Sequence, residues 1–173
     1  MPAGFLSTKT ALLVLKKKLE SLTLGNDKAF ESVEMFDMSN LLAALQELFK
    51  FGDRICLIVH DQEQFTNARA GRELRCRQSR DVVLMIGDRH IANRQKALFG
   101  DETTPGAFSL KDTVLNSVVG LLEAGIYCEP LRGEQMVLEK KVREELQGRV
   151  VFSLTLRLHG GNVIVDLGQA PIP

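Results

Sequence analysis

The chain has 173 residues with 45% hydrophobic and 25% charged positions, and 22 basic residues balance 22 acidic ones. That size and apolar content fit one globular domain, in which about 70% of the unfolded surface is buried. Zero net charge excludes a global affinity for nucleic acid or membrane, so any such affinity must come from a local patch.

Cys56, Cys76 and Cys128 are odd in number and widely spaced, with no C-x-x-C motif. Zinc and a disulfide framework are both disfavoured, and reduced thiols in the cytoplasm are the plain reading. The opening M-P-A-G-F-L lacks a basic n-region, and Lys9 and Lys16 to Lys18 interrupt the apolar run that follows, which argues against a signal peptide or a membrane span.

In chain order, Ser7 or Thr8 caps a first helix running to about Leu22. Leu12, Leu15, Leu19 and Leu22 form its apolar stripe, Lys16 to Lys18 face solvent, and Gly25-Asn26 closes it. Phe30 to Phe36 reads as a short strand. Ser39 then caps a second helix whose buried face is Leu41, Leu42, Leu45, Leu48 and Phe49. Arg54 to His60 (R-I-C-L-I-V-H) and Arg80 to Asp88 (R-D-V-V-L-M-I-G-D) are short apolar runs rich in β-branched residues. Both fit strands covered on both faces.

Between these strands lies a polar, arginine-rich insertion, residues 61–79. Its second half alternates, with Leu74, Cys76 and Gln78 on one side and Arg75, Arg77 and Ser79 on the other. A strand that is polar in its first half and apolar in its second predicts an arm or a long hairpin. A second insertion spans residues 89–108, with Pro105-Gly106 as a turn signal. Long insertions of this kind in compact domains are commonly functional or disordered.

Ser109 begins a further helix, with Ser109 and Asp112 as a capping box and a stop at Ala124-Gly125. Two short strands follow, Ile126 to Leu131 and Gln135 to Leu138, around Arg132-Gly133-Glu134. A charged link leads into an alternating strand from Arg149 to His159. Gly160-Gly161-Asn162 is expected to turn the chain into a polar tail, 160–173. The whole chain, 1–173, reads as one α+β domain: a mixed, mainly antiparallel sheet with helices packed on one face and long polar arms.

For chemistry, His60, Asp61, Asp88 and His90 stand at strand ends and offer a metal-dependent hydrolase as one alternative. Asp81 or Asp88 with Glu73 and Lys96 is a superficially nuclease-like set, yet no E-x-K pair sits on a strand in the required position. P-loop, nucleophile-elbow and dinucleotide-binding motifs are missing, so a non-enzymatic protein without cofactor or metal is expected. Arg69, Arg72, Arg75, Arg77 and Arg80 cluster within twelve residues, and Arg89 and Arg94 follow in the second insertion. A subunit interface, a solvated loop and a DNA contact are the readings for this cluster, in that order, because guanidinium groups suit pairing with a neighbour's carboxylates.

The succession F-E-S-V-E-M-F-D, a leucine helix, R-I-C-L-I-V-H-D, D-V-V-L-M-I-G-D, S-L-K-D-T-V-L-N-S-V-V-G-L-L and I-Y-C-E-P-L-R-G-E-Q-M resembles the tail terminator proteins of long-tailed bacteriophages, in particular the Mu-like contractile-tail branch. The resemblance spans about Leu6 to His159. It implies a virion protein, assembled in the host cytoplasm, that forms a hexameric ring on the last tube ring and ends tail polymerisation. The implied partners are other copies of the chain, the tail tube protein, the sheath and the head-side connector, with DNA passing through the lumen without sequence specificity and no membrane contact. On this resemblance the seven arginines would lie at a subunit interface or lumen. A neck adaptor contacting DNA is the alternative within the same assembly.

Overall fold

The computed structural model describes residues 4–36, 43, 46, 54–71, 73–88, 99–100, 106–135 and 150–166. Among these, two helices, α1 (Thr8–Glu20) and α2 (Ala107–Val118), accompany a six-stranded sheet and a two-stranded ribbon. The ribbon pairs β1 (Thr23–Leu24) with β2 (Asp27–Lys28) around Gly25. The main sheet comprises β3 (Ser32–Phe36), β4 (Arg54–Ala70), β5 (Glu73–Asp88), β6 (Gly120–Leu121), β7 (Tyr127–Gln135) and β8 (Val150–Asp166). Its order is β3-β4-β5-β8-β7-β6; β3 runs parallel to β4 and all other neighbours are antiparallel. This is the mixed, mainly antiparallel α+β arrangement expected.

Both helices lie on one sheet face. Ala11, Leu15 and Leu19 of α1 and Leu110, Val114 and Val118 of α2 recur every three or four residues and are fully buried. They pack on Cys56, Ile58, Leu84, Ile86, Leu154 and Leu156, which the strand register places side by side on that face. Residues of opposite parity, Ile55, Leu57, Val59 and Met85, are buried as well, so the central strands are closed on both faces. Ser7 caps α1 by accepting a hydrogen bond from the Thr10 amide. Lys16 does not simply face solvent: its ammonium reaches Glu34 of β3 at 2.8 Å, and that contact raises its pKa.

Several local expectations need correction. Helix α2 starts at Ala107 with Gly106 as its N-cap, so Ser109 lies inside the helix and caps nothing. The buried stripe begins at Ala107, and burial rather than the capping signature sets the start. The helix ends at Val118, and the left-handed residues Ala124 and Gly125 belong to a separate 3-10 turn, Glu123–Gly125. Arg132-Gly133-Glu134 is not a turn. β7 runs straight through it along β8, with a bulge near Leu131. Gly133 serves close packing instead, because a Cβ there would meet the Phe152 ring at 3.2 Å. Gly160-Gly161 is likewise a bulge inside β8, and the strand continues to Asp166, so a tail does not begin at residue 160. The expected second helix lies mostly outside the described residues, as do residues 89–98 and 101–105 of the second insertion.

Candidate functional site

The insertion at 61–79 is built as strand, not loop. β4 and β5 continue past the core as a hairpin, with Ala70 opposite Glu73, and Gly71 (φ +62°) leads the reversal. From Gly160 to Asp166, β8 follows the same hairpin on its other side. The result is a three-stranded arm reaching about 30 Å beyond the core, at roughly 3.3 Å per residue over residues 61–70. Both strands that flank β5 are irregular near the root of the arm: β4 bulges between His60 and Gln62, opposite Asp81 and Val82, and β8 bulges at Gly160–Gly161, opposite Gln78. Bulges at a sheet rim increase local twist and re-aim the strands that follow.

Two polar clusters fix the arm's root, one on each face. On the helix-side face Arg80 is fully buried. Its Nε lies 3.0 Å from the Thr8 hydroxyl and 3.1 Å from Glu63 Oε1, and its Nη2 donates to the Leu6 carbonyl. The Thr8 hydroxyl in turn donates to Glu63 at 3.1 Å, and Gln78 donates to the same carboxylate. Burial pulls the Arg80 guanidinium below its ordinary pKa, and the Glu63 charge opposes that pull. Residues 5–8 are thereby strapped across the root, with the Phe5 ring edge-on to Phe65 at 5.5 Å. On the opposite face Asp81, nearly buried, accepts two hydrogen bonds from Arg157 at 2.6 and 2.9 Å and one from Gln62 at 2.8 Å. The Arg157 contact holds the Asp81 carboxyl below the usual carboxylate range, against burial, and raises Arg157 in return.

The arginines expected at an interface or lumen therefore divide. Arg75 and Arg77 are exposed on one face of the arm, where the register sets them beside Ala68 and Thr66 of β4 and Ile164 and Asn162 of β8. Arg75 pairs with Glu73 at 3.0 Å. Arg69 is exposed near the tip on the other face and donates to the Gly71 carbonyl. Arg80 is an internal anchor and cannot meet another molecule. Arg72, Arg89 and Arg94 lie outside the described residues.

The metal alternative does not assemble. His60 sits opposite Val82 and Asp88 opposite Arg54, at the two ends of the paired core segment. Six residues of strand separate them, about 20 Å. His90 and Lys96 are outside the described residues, and Glu73 and Asp81 stand about 26 Å apart on one strand. The described residues contain no group of three potential metal ligands, and no described helix is long and apolar enough to cross a membrane.

Sequence reasoning missed the Asp81–Arg157 pair and the Arg80 anchor. Arg157 stands mid-strand among Leu154, Leu156 and Leu158, on the opposite parity, and a charge so placed beside a core strand asks for a partner across the sheet.

No protein-family model matches the chain, and no curated protein matches it significantly. Among solved structures it is similar to a chain in the virion of a native gene transfer agent particle, at 15% identity and a TM-score of 0.34. The alignment covers 60% of this chain and 66% of the other.

Proposed function

We propose that this protein is a structural, non-enzymatic component of a phage-like virion, a tail terminator that forms a ring on the tail tube and presents a joining surface to the head. The observation that carries the reading is the arm. A compact core extends into three strands, of which the outermost, β4, is exposed on both faces; from Asp61 to Arg69 every residue but Gln64 is exposed, while β5 and β8 expose Arg75, Arg77, Asn162 and Ile164 on one face. Strands gain stability by burying a face, and this arm has little of its own to bury. A neighbouring subunit supplies that cover, and head-to-tail contacts that complete a rotation close into a ring. The order of elements in the sequence, with its resemblance to tail terminators, supplies the specific assignment.

Arg75 and Arg77 then act as contact residues toward carboxylates of a neighbour or of the tube, since guanidinium groups form directional pairs with carboxylates. The test is electron microscopy of tail tubes polymerised with and without the purified protein. The reading expects tubes of limited length carrying a terminal ring, and unlimited tubes with Arg75→Glu/Arg77→Glu at unchanged melting temperature. A wild-type protein that stays monomeric and binds no tube overturns it.

A further inference from the structure

We infer that the outer edge of β4 is a self-complementary pairing edge, through which two copies of the free chain join as an antiparallel, two-fold sheet extension centred on Phe65. The observation is an edge that no described strand pairs. β3 pairs with β4 only as far as Val59, and among the described residues no strand covers β4 from Asp61 to Ala70. Exposed edges are normally blunted by proline, lysine, a bulge or brevity. Here the segment D-Q-E-Q-F-T-N-A-R-A has neither proline nor lysine and spans ten residues; its single bulge, at Asp61, lies at its root, and from Gln62 to Ala70 it pairs with β5 without interruption. Such an edge is a template for another extended strand.

The sequence of the edge selects its partner. A two-fold axis at Phe65 opposes residues whose numbers sum to twice 65. Asp61 then faces Arg69 of the second copy, twice over, and Glu63 faces Asn67. The two Phe65 rings meet at the axis, and the other opposed pairs join uncharged residues. No like charges face each other, which an arbitrary pairing of a charged segment would not guarantee. Asp61 and Arg69 form no ion pair within their own chain among the described residues, so both are available. Phe65 is 53% exposed and Phe5 beside it 49%, so the pairing would gather four aromatic rings that otherwise face water. An isologous contact of this kind consumes the edge and stops at two copies, which protects the free arm from open-ended growth.

The inference concerns the free chain and does not depend on the ring reading. Its test is sedimentation equilibrium across the micromolar range on wild type, Asp61→Arg, Arg69→Asp and an equimolar mixture of the two variants. The wild type dimerises. Each single variant places like charges at both ends of the contact and dimerises at least about tenfold more weakly. The mixture recovers dimers, because in the mixed pair the introduced arginine faces the introduced aspartate at one end, and the unaltered Arg69 faces the unaltered Asp61 at the other. In a Cys76→Ser background, Phe65→Cys gives an oxidised covalent dimer and Asn67→Cys does not. A wild type that is monomeric throughout, a mixture no better than the single variants, or equal cross-linking of both cysteine variants overturns the inference. Loss of tube capping alone would touch only the ring reading.

Discussion

Replacing Arg80 with alanine probes the root of the arm directly. In the native protein this guanidinium, with no solvent exposure, binds Thr8, Glu63 and the Leu6 carbonyl at once. Removing one partner of a fully buried ion pair costs about 3–5 kcal/mol. Glu63 keeps 28% of its side-chain surface exposed and can rehydrate, and the lost guanidinium itself bore an unpartnered buried Nη1, so the cost falls to about 2–3 kcal/mol. For a domain of this size, each kcal/mol lowers the melting temperature by about 2–4 °C, giving a drop of roughly 4–12 °C. Far-UV circular dichroism measures that drop. Limited proteolysis should also find the strap at residues 5–8 newly cleavable, because its hydrogen bonds to Arg80 are gone. Arg80→Met restores much of the packing and is expected to recover part of the melting temperature but not the protease protection. A melting temperature within about 1 °C of wild type for Arg80→Ala, together with an intact strap, refutes this account of the root.

Other expectations are checked more briefly. Asp81 has a folded pKa below its unfolded value, so its contribution is complete above the ordinary carboxylate pKa of about 4 and is lost as pH falls through the depressed value. Asp81→Asn should therefore lower stability by about 1–3 kcal/mol in neutral urea titrations and lose less stability than wild type on acidification. Gly161→Ala forces a side chain onto φ +84° and sets its Cβ 2.8 Å from the Leu6 amide nitrogen, costing about 2 kcal/mol or more; an unchanged urea midpoint would refute the close approach of strap and bulge. A thiol reagent at neutral pH should label Cys76 alone in the folded protein, read by mass spectrometry. Cys56 and Cys128 are buried, and burial pushes both thiols up, Cys128 to about 12.

The central strands were legible because Val82 to Ile86 and Ile55 to Val59 are continuous apolar runs, a pattern that strands covered on both faces share. The arm was legible from the alternation of Leu74, Cys76 and Gln78 against Arg75, Arg77 and Ser79, and the register bears that alternation out. Turn signals misled wherever a neighbouring strand overrode them. Gly133 and Gly160-Gly161 look like chain reversals in isolation, yet each lies within a strand that a long partner carries on past it, Gly160-Gly161 as a bulge, and a small residue there admits a ring or the strap. Arg80 looked like one arginine among five, because its burial depends on residues 6–8, more than seventy positions away. Long-range pairing of that sort leaves no periodic trace in sequence.

The strand order bears on how the chain reaches this structure. β8 is inserted between β5 and β7, so the middle of the sheet joins segments about seventy residues apart, while β4 and β5 are neighbours in the chain and zip locally. Non-local closure is slow because loop entropy is lost before contacts compensate it. Until β8 arrives, β5 and β7 each show a bare flank to other nascent chains, and that interval is when aggregation competes with folding. Refolding should therefore be biphasic, with a fast phase from the β4–β5 hairpin and a slower one that Leu156→Ala retards, since Leu156 is fully buried at that junction.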